Sequence, residues 1–450
     1  MHASAHSAPG PRGLPLLRNT LDLWSRDPLA LLRQRHRRYG DFVHTHVAGL
    51  DRLLINDPDA IRHVLQHNSA NYTKGPAYAV LGVVVGEGLL TSEGDFWLRQ
   101  RRLAQPAFHK KYLERFAAVM VAATETMLAS WSIGDQVDIA EEMMRLTFKI
   151  VGEALFSAAV EDKASEIGEL VTEALGLFER FASVAMLLPD SMLGRGRGLP
   201  LPASRRIIAR IDEIVMEIIE QRRHDPAPHH DLLQMLMDAR DDDGASMTDL
   251  QLKDEVTTLI LAGHETTASA LTWTLSLLAS HRDIEAQLVE EHRRVLGDRS
   301  PTLSDVRELP RTERVVKEAM RLYPPAWTMT RQAREDDEAG GYAIAAGAVV
   351  QIAPWTLHRH PGHWMHAERF DPDRFSPARS EHRHPWAYLP FGGGARVCIG
   401  KGFAMLEAQL VLATMLRQFV VVPRRSAMPI PQPSVTLRPR DGMPSRLAAR

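Results

Sequence analysis

The sequence predicts a mainly α-helical protein with a minor β-sheet region, folded as one body. Three observations carry this. Apolar residues recur at three- and four-residue spacing from Phe96 to about Gly297, alternating strand-type stretches occur near residues 41–55 and 340–354, and no linker or low-complexity tract divides the 450 residues. Residues 1–13, rich in Ala, His, Ser, Pro and Gly, are expected to be a disordered lead, with residues 14–450 as the single domain.

Residues 27–39, with Leu29, Leu31 and Leu32 among arginines, read as the first helix, stopped by Gly40. Residues 41–48 and 52–55 read as a hairpin turning near Gly49, and Asn56-Asp57-Pro58 caps a further helix. The long helical stretch is broken by turn clusters near 189–202 and 224–230, and residues 256–280 form its longest apolar helix. Residues 311–323 make an amphipathic helix closed by Pro324-Pro325, short strands flank Gly347, 361–390 are irregular, and the last helix runs from near Cys398 to Phe419.

Composition narrows function. A formal charge of −2 supplies no field for wrapping nucleic acid. No segment has the run of about 18 to 20 apolar residues needed to span a bilayer, and the N-terminus lacks a basic-then-apolar secretory signal. With 1 cysteine the chain has no internal disulfide or multi-cysteine cage, which suits a reducing, cytoplasmic setting.

That cysteine, Cys398, ends the glycine-rich stretch Phe391-Gly-Gly-Gly-Ala-Arg-Val-Cys-Ile-Gly400 and precedes an apolar helix. Helix N-terminal amides lower a thiol pKa, and the glycines are expected to let backbone N–H groups approach the sulfur. Such a thiolate suits one axial bond to a flat iron cofactor. With Phe391 seven before the cysteine, Gly394 four before, Arg396 two before and Gly400 two after, the segment resembles the haem-thiolate signature of the cytochrome P-450 superfamily, soluble bacterial type. The resemblance implies the triangular fold of that family, with haem b (iron protoporphyrin IX) between the 256–280 helix and the helix following Cys398. It makes Cys398 the iron ligand, sets Phe391 beside it and Gly400 in the cofactor loop, and pairs Arg396 with a haem propionate.

Other motifs follow in the family's order. Trp97-Leu-Arg-Gln-Arg101 resembles its Trp-x-x-x-Arg helix, with both ends directed at a propionate, and Arg331 is a further propionate candidate. Glu318-Ala-Met-Arg321 and Arg374, within Phe370-Asp-Pro-Asp-Arg374-Phe375, imply a buried structural triad. By themselves Glu-x-x-Arg pairs are usually solvated helix faces. Ala262-Gly-His-Glu-Thr-Thr267 is similar to the family's distal-helix motif, with Thr266 holding an oxygen-side water network, Glu265 supplying protons, and a distortion at Gly263 making room for dioxygen. His358, His360, His363 and His366 read as scaffold rather than a metal site, because no thiolate partner is nearby.

The resemblance implies a monooxygenase that uses dioxygen to hydroxylate or epoxidise a hydrophobic small molecule such as a fatty acid or terpenoid. Val83, Phe181, Leu259, Ala262, Trp327 and Thr328 are its expected pocket residues. The apolar run 185–188, followed by Arg195 and Arg197, reads as a pocket lid. The chain continues only to Arg450 after Cys398, so electrons are expected from a separate ferredoxin or flavodoxin with its reductase, steered to Arg99, Arg102, Lys110, Lys111 and Lys401 of a monomer. The alternatives are a haem-based sensor or electron carrier, and a peroxide-driven peroxygenase.

Overall fold

A computed structural model describes residues 6–14, 18–25, 27–157, 166–168, 170, 173–174, 176, 202–225, 227 and 229–450. Phe181, the 185–188 run, Arg195 and Arg197 lie outside the described residues, as do residues 1–5 of the N-terminal lead. Residues 6–13 are not the disordered segment expected, because His6 bridges Tyr342, Pro9 O accepts the His44 N–H at 2.8 Å and Ala8 is buried in the sheet-side core.

Helix α1 (Pro28–Tyr39) starts where the Asp27 carboxylate accepts the Ala30 N–H at 2.9 Å, and ends at Gly40. Strands β1 (Phe42–Val47) and β2 (Leu50–Ile55) form the expected hairpin, and Asp57 caps α2 (Pro58–Arg62). Then come β3 (Tyr72–Lys74), α3 (Ala77–Val85), α4 (Gly94–Ala104), α5 (Leu113–Ala129), β4 (Gln136–Asp138) and α6 (Ile139–Phe156). Beyond them lie α7 (Pro202–His224), α8 (Leu232–Asp238), the central α9 (Asp249–Ser280), α10 (Arg282–Leu296) and α11 (Pro310–Leu322).

Strands β5 (Met329–Ala333), β6 (Asp337–Ala339), β7 (Tyr342–Ile344) and β8 (Val349–Ile352) precede the short helices α12 (Pro354–Leu357) and α13 (Pro377–Ser380). After α14 (Lys401–Met415) come β9 (Phe419–Pro423), β10 (Pro431–Pro433), β11 (Leu437–Pro439) and β12 (Pro444–Ala449). One sheet has the order β1-β2-β8-β5-β3, with β2 and β8 parallel, and β4-β12-β9 makes a second. Of these strands, β3 to β6 and the four after α14 are additions to the sequence reading.

Helix α9 is the spine. It starts seven residues before the expected position, where the Thr248 and Gln251 side chains make a reciprocal capping box. Most of its side chains are buried, and the main core packs around it from α5, α6, α7 and α14. The expected distortion at Gly263 is absent, since α9 remains α-helical through that residue. The glycine serves packing instead: a Cβ there would lie 2.7 Å from Val151 Cγ2 of the crossing helix α6.

Candidate active site

The cysteine loop is closed on itself by the Cys398 N–H, which donates to Phe391 O at 3.0 Å, and Phe391 packs on the main core. Gly394 has φ +67°, and a Cβ on it would fall 1.8 Å from Leu65 O. This glycine lets the loop dock on the preceding 63–67 turn, a different task from exposing amides to sulfur. The amides that face the thiol belong to Gly400 and Lys401. Cys398 lies just outside α14, whose N-cap is Gly400. Burial raises the Cys398 thiol pKa above the usual value, while those two N–H groups and the charges of Arg101 and Lys401 pull it down without cancelling the rise. The expected lowering is therefore reversed. Its side chain nevertheless keeps accessible surface, although the surrounding protein desolvates the sulfur.

Beside the loop is an excess of positive charge. The Arg396 guanidinium donates to Glu93 Oε2 at 2.6 Å and Ser92 O at 2.8 Å, and lies 4.2 Å over the Trp97 ring. The Lys74 backbone N–H donates to the other Glu93 oxygen at 2.7 Å, and its ammonium donates to Leu90 O. Burial, then the charges of Arg396 and Arg331, hold Lys74 well below the usual lysine range. Burial likewise pushes Arg396 down to about 10. Arg331 is buried and donates to Thr330 O at 2.9 Å. Three cations thus crowd one carboxylate, and the buried Ser92 hydroxyl beside them has no partner among the described residues. Arg101, one turn after Trp97, is near Cys398.

The run 264–267 on α9 splits in four directions, as a helix advancing 100° per residue requires. His264 stacks edge-on to Phe148 of α6 at 5.4 Å. Glu265 is buried and accepts the Thr436 hydroxyl at 2.6 Å. The Thr266 hydroxyl donates to Ala262 O at 2.7 Å and keeps accessible surface. Thr267 donates to Glu407 of α14, a fully buried acid that desolvation holds well above the usual carboxylate range. Leu259, Ala262, Gly263 and Thr266 form the accessible stripe on this stretch of an otherwise buried helix. Glu265 therefore does not point with Thr266.

Glu318, Arg321 and Arg374 come together as expected. Arg321 Nε and Nη2 donate to the two Glu318 oxygens at 2.6 and 2.8 Å, and Arg374 Nε donates to Oε1 at 3.2 Å. Arg321 also donates to His358 O at 2.9 Å and Ala367 O at 2.6 Å, which fixes the irregular 358–374 segment to α11. His358 is buried and its Nε2 accepts the Leu389 N–H at 2.8 Å, as scaffold.

Of the pocket candidates, Val83 on α3 and Thr328 are half-buried, with Thr328 Oγ1 accepting from Gln351 at 3.0 Å. Trp327 packs in the small cores with Leu29, Leu32 and Trp355, its indole N–H donating to Ser434 O at 2.8 Å. Of the basic residues, Arg99 is tied to Asp241 at 2.6 Å, whereas Arg102 and Lys401 are exposed.

Lys74, Glu93 and Glu407 are site-flanking residues that sequence reasoning missed. Only Glu407 had a signal, as the lone acid in the apolar run of α14.

The chain belongs to the Cytochrome P450 family, whose model matches residues 8–444. It is an oxidoreductase of the monooxygenase class, acting on a hydrophobic small molecule with dioxygen and electrons from redox partners. It is 37% identical to cyclooctatin synthase of Streptomyces melanosporofaciens, over 96% of this chain and 94% of that one. It is 34% identical to pentalenene oxygenase of Streptomyces avermitilis, over 92% and 91%. Cyclooctat-9-en-7-ol 5-monooxygenase of Streptomyces melanosporofaciens is 33% identical, over 93% and 89%. Among solved structures, the cytochrome P450DA heme domain superposes with a TM-score of 0.87 at 28% identity, over 99% of this chain and 98% of that one. The retinoic acid-bound cyanobacterial CYP120A1 gives 0.87 at 25%, over 100% of both.

The family carries a haem-thiolate cofactor, and the residues here fit one. A desolvated thiol keeps an accessible face, and an uncompensated cationic cluster with an orphan hydroxyl suits a group bearing two carboxylates. No helix among the described residues is long and apolar enough to cross a membrane.

Proposed function

We propose that Cys398 ligates the iron of haem b, and that the chain hydroxylates or epoxidises a cyclic terpenoid held against the accessible stripe of α9. The observation that carries this reading is the accessible surface kept by the Cys398 sulfur and by the Leu259, Ala262, Gly263 and Thr266 stripe of α9, a helix most of whose described side chains are buried. Pentalenene and cyclooctat-9-en-7-ol, after which two relatives are named, are by those names an alkene and an alkenol, which supports the choice of substrate class.

When bound, the thiolate haem supplies the iron chemistry that reduces dioxygen and oxidises carbon. The protein does the rest. Lys74, Arg331 and Arg396 take the propionates, with Trp97 beneath Arg396 and Arg101 near the sulfur. Gly400 and Lys401 donate toward sulfur and tune how strongly it binds. Leu259 and Ala262 exclude water and bound the substrate's apolar surface. The Thr266 proton is engaged by Ala262 O, so its oxygen lone pairs are what it offers outward, enough to accept one proton of a water and leave that water's second proton free for the cleft. Glu265 is the proton source on the Thr436 side of the helix. A ferredoxin or flavodoxin approaches the exposed Arg102 and Lys401, and the enzyme works as a cytoplasmic monomer.

The test is a spin-state screen of the ferric protein. A low-to-high spin change with cyclic terpenoids, but not with fatty acids of similar carbon number, supports the substrate class. The reverse preference overturns it.

A further inference from the structure

His360 lies in the irregular stretch after α12, and its Nε2 sits 2.8 Å from Asp41 Oδ1, a residue at the entry to β1. The same carboxylate oxygen is 3.0 Å from His36 Nε2, on the last turn of α1. The ligand atoms of the three residues all lie within 4.8 Å of one another. The two imidazoles are side by side, with ring centres 4.9 Å apart, and their side chains are 13% and 14% exposed. Two imidazole nitrogens and a carboxylate oxygen from three separate segments therefore converge on one point.

We propose that His36, Asp41 and His360 form a binding site for a borderline divalent transition-metal ion, zinc in the first instance, with water in the fourth position. This donor set suits zinc and its neighbours rather than calcium or magnesium, which take oxygen ligands. Zinc bonds of about 2.0–2.2 Å at tetrahedral angles place donor atoms about 3.3 Å apart. The two spacings around Asp41 need open by only a few tenths of an ångström.

One hydrogen bond is exchanged. The Gly362 N–H now donates to His360 Nδ1 at 3.0 Å, and metal on Nε2 requires Nδ1 to carry the proton. Gly362 is exposed, so its N–H passes to water. The ion would clasp the end of α1 to the turn that follows His358 and Arg359, and would stabilise the folded chain by mass action.

The site lies apart from the cysteine loop and the 259–266 stripe, so its test does not depend on turnover. Haem-loaded protein, stripped with chelator, is dialysed against zinc chloride, and bound zinc and melting temperature are measured. The account expects one zinc per chain and a rise in Tm, with affinity weakened about tenfold or more in Asp41→Asn, His36→Gln and His360→Gln. Asp51→Asn removes the carboxylate shared by His44 and His46 on the exposed β1–β2 hairpin and must leave uptake unchanged. An unaltered haem spectrum checks folding of each variant, and the two histidine variants decide if Asp41→Asn fails to fold. No saturable uptake, or uptake that these variants leave intact, overturns the site.

Discussion

The Thr436 hydroxyl donates to Glu265 over 2.6 Å inside the protein, which turns the Glu265 carboxylate toward the β10–β11 hairpin while Thr266 next to it faces the open stripe. Adjacent in sequence, the two are separated by 100° of helix rotation. They therefore have separable roles.

Thr266→Ala should raise peroxide release per electron pair consumed, and Thr266→Ser should restore coupling, because only the outward lone pairs matter. Glu265→Gln should slow turnover by about 10²-fold with product yield per electron changed much less. Peroxide and product assays on both variants check this, and equal uncoupling in the two would show that they act as one unit.

The cationic cluster predicts haem retention. Lys74→Met and Arg396→Ala should each speed loss of haem to an excess of acceptor apoprotein. Arg396→Lys should rescue only partly, since lysine lacks the planar fork that holds Glu93 and Ser92 while lying over Trp97.

Arg321→Ala should be severe. It leaves Glu318 buried and without its bidentate partner, and frees the carbonyls of His358 and Ala367, at a cost of about 3–5 kcal/mol. Chemical denaturation of the haem-loaded protein reads this directly.

Glu255 carries a pH dependence. On α9, it accepts the Leu89 N–H at 3.0 Å, and burial pushes its pKa up to about 8 from 4.5, with Asp254 adding to the rise. The folded state thus holds a proton that the unfolded chain releases. Its contribution is full below pH 4.5, declines as pH climbs toward 8, and is flat beyond. Glu255→Gln should remove that decline and leave the variant the more stable at pH 8, by on the order of 1–3 kcal/mol. Melting curves from pH 5 to 9 test it.

Much of this was legible because helices announce themselves locally. The Asp57 cap, the 41–55 hairpin and the charged triad all followed from spacing or motif. The strands β9 and β12 were not legible, because short strands with partners far along the chain carry no local period of their own. The outward directions of residues 264–267 depend on what packs against α9, so sequence grouped four residues that the fold disperses. Lys74 and Glu93 gained meaning only when β3 and the start of α4 met the cysteine loop. His360 reads as scaffold in the sequence for want of a nearby thiolate, and its partners His36 and Asp41 escape a local reading because they lie over three hundred positions away.

The central claim is that Cys398 sulfur binds haem iron. The most direct measurement is the absorption spectrum of the dithionite-reduced, carbon monoxide-treated protein beside Cys398→Ser. The account predicts the red-shifted Soret band of a thiolate-ligated carbonyl complex in the native chain and its loss in the variant. A native spectrum without that band, or a variant that keeps it, contradicts the account.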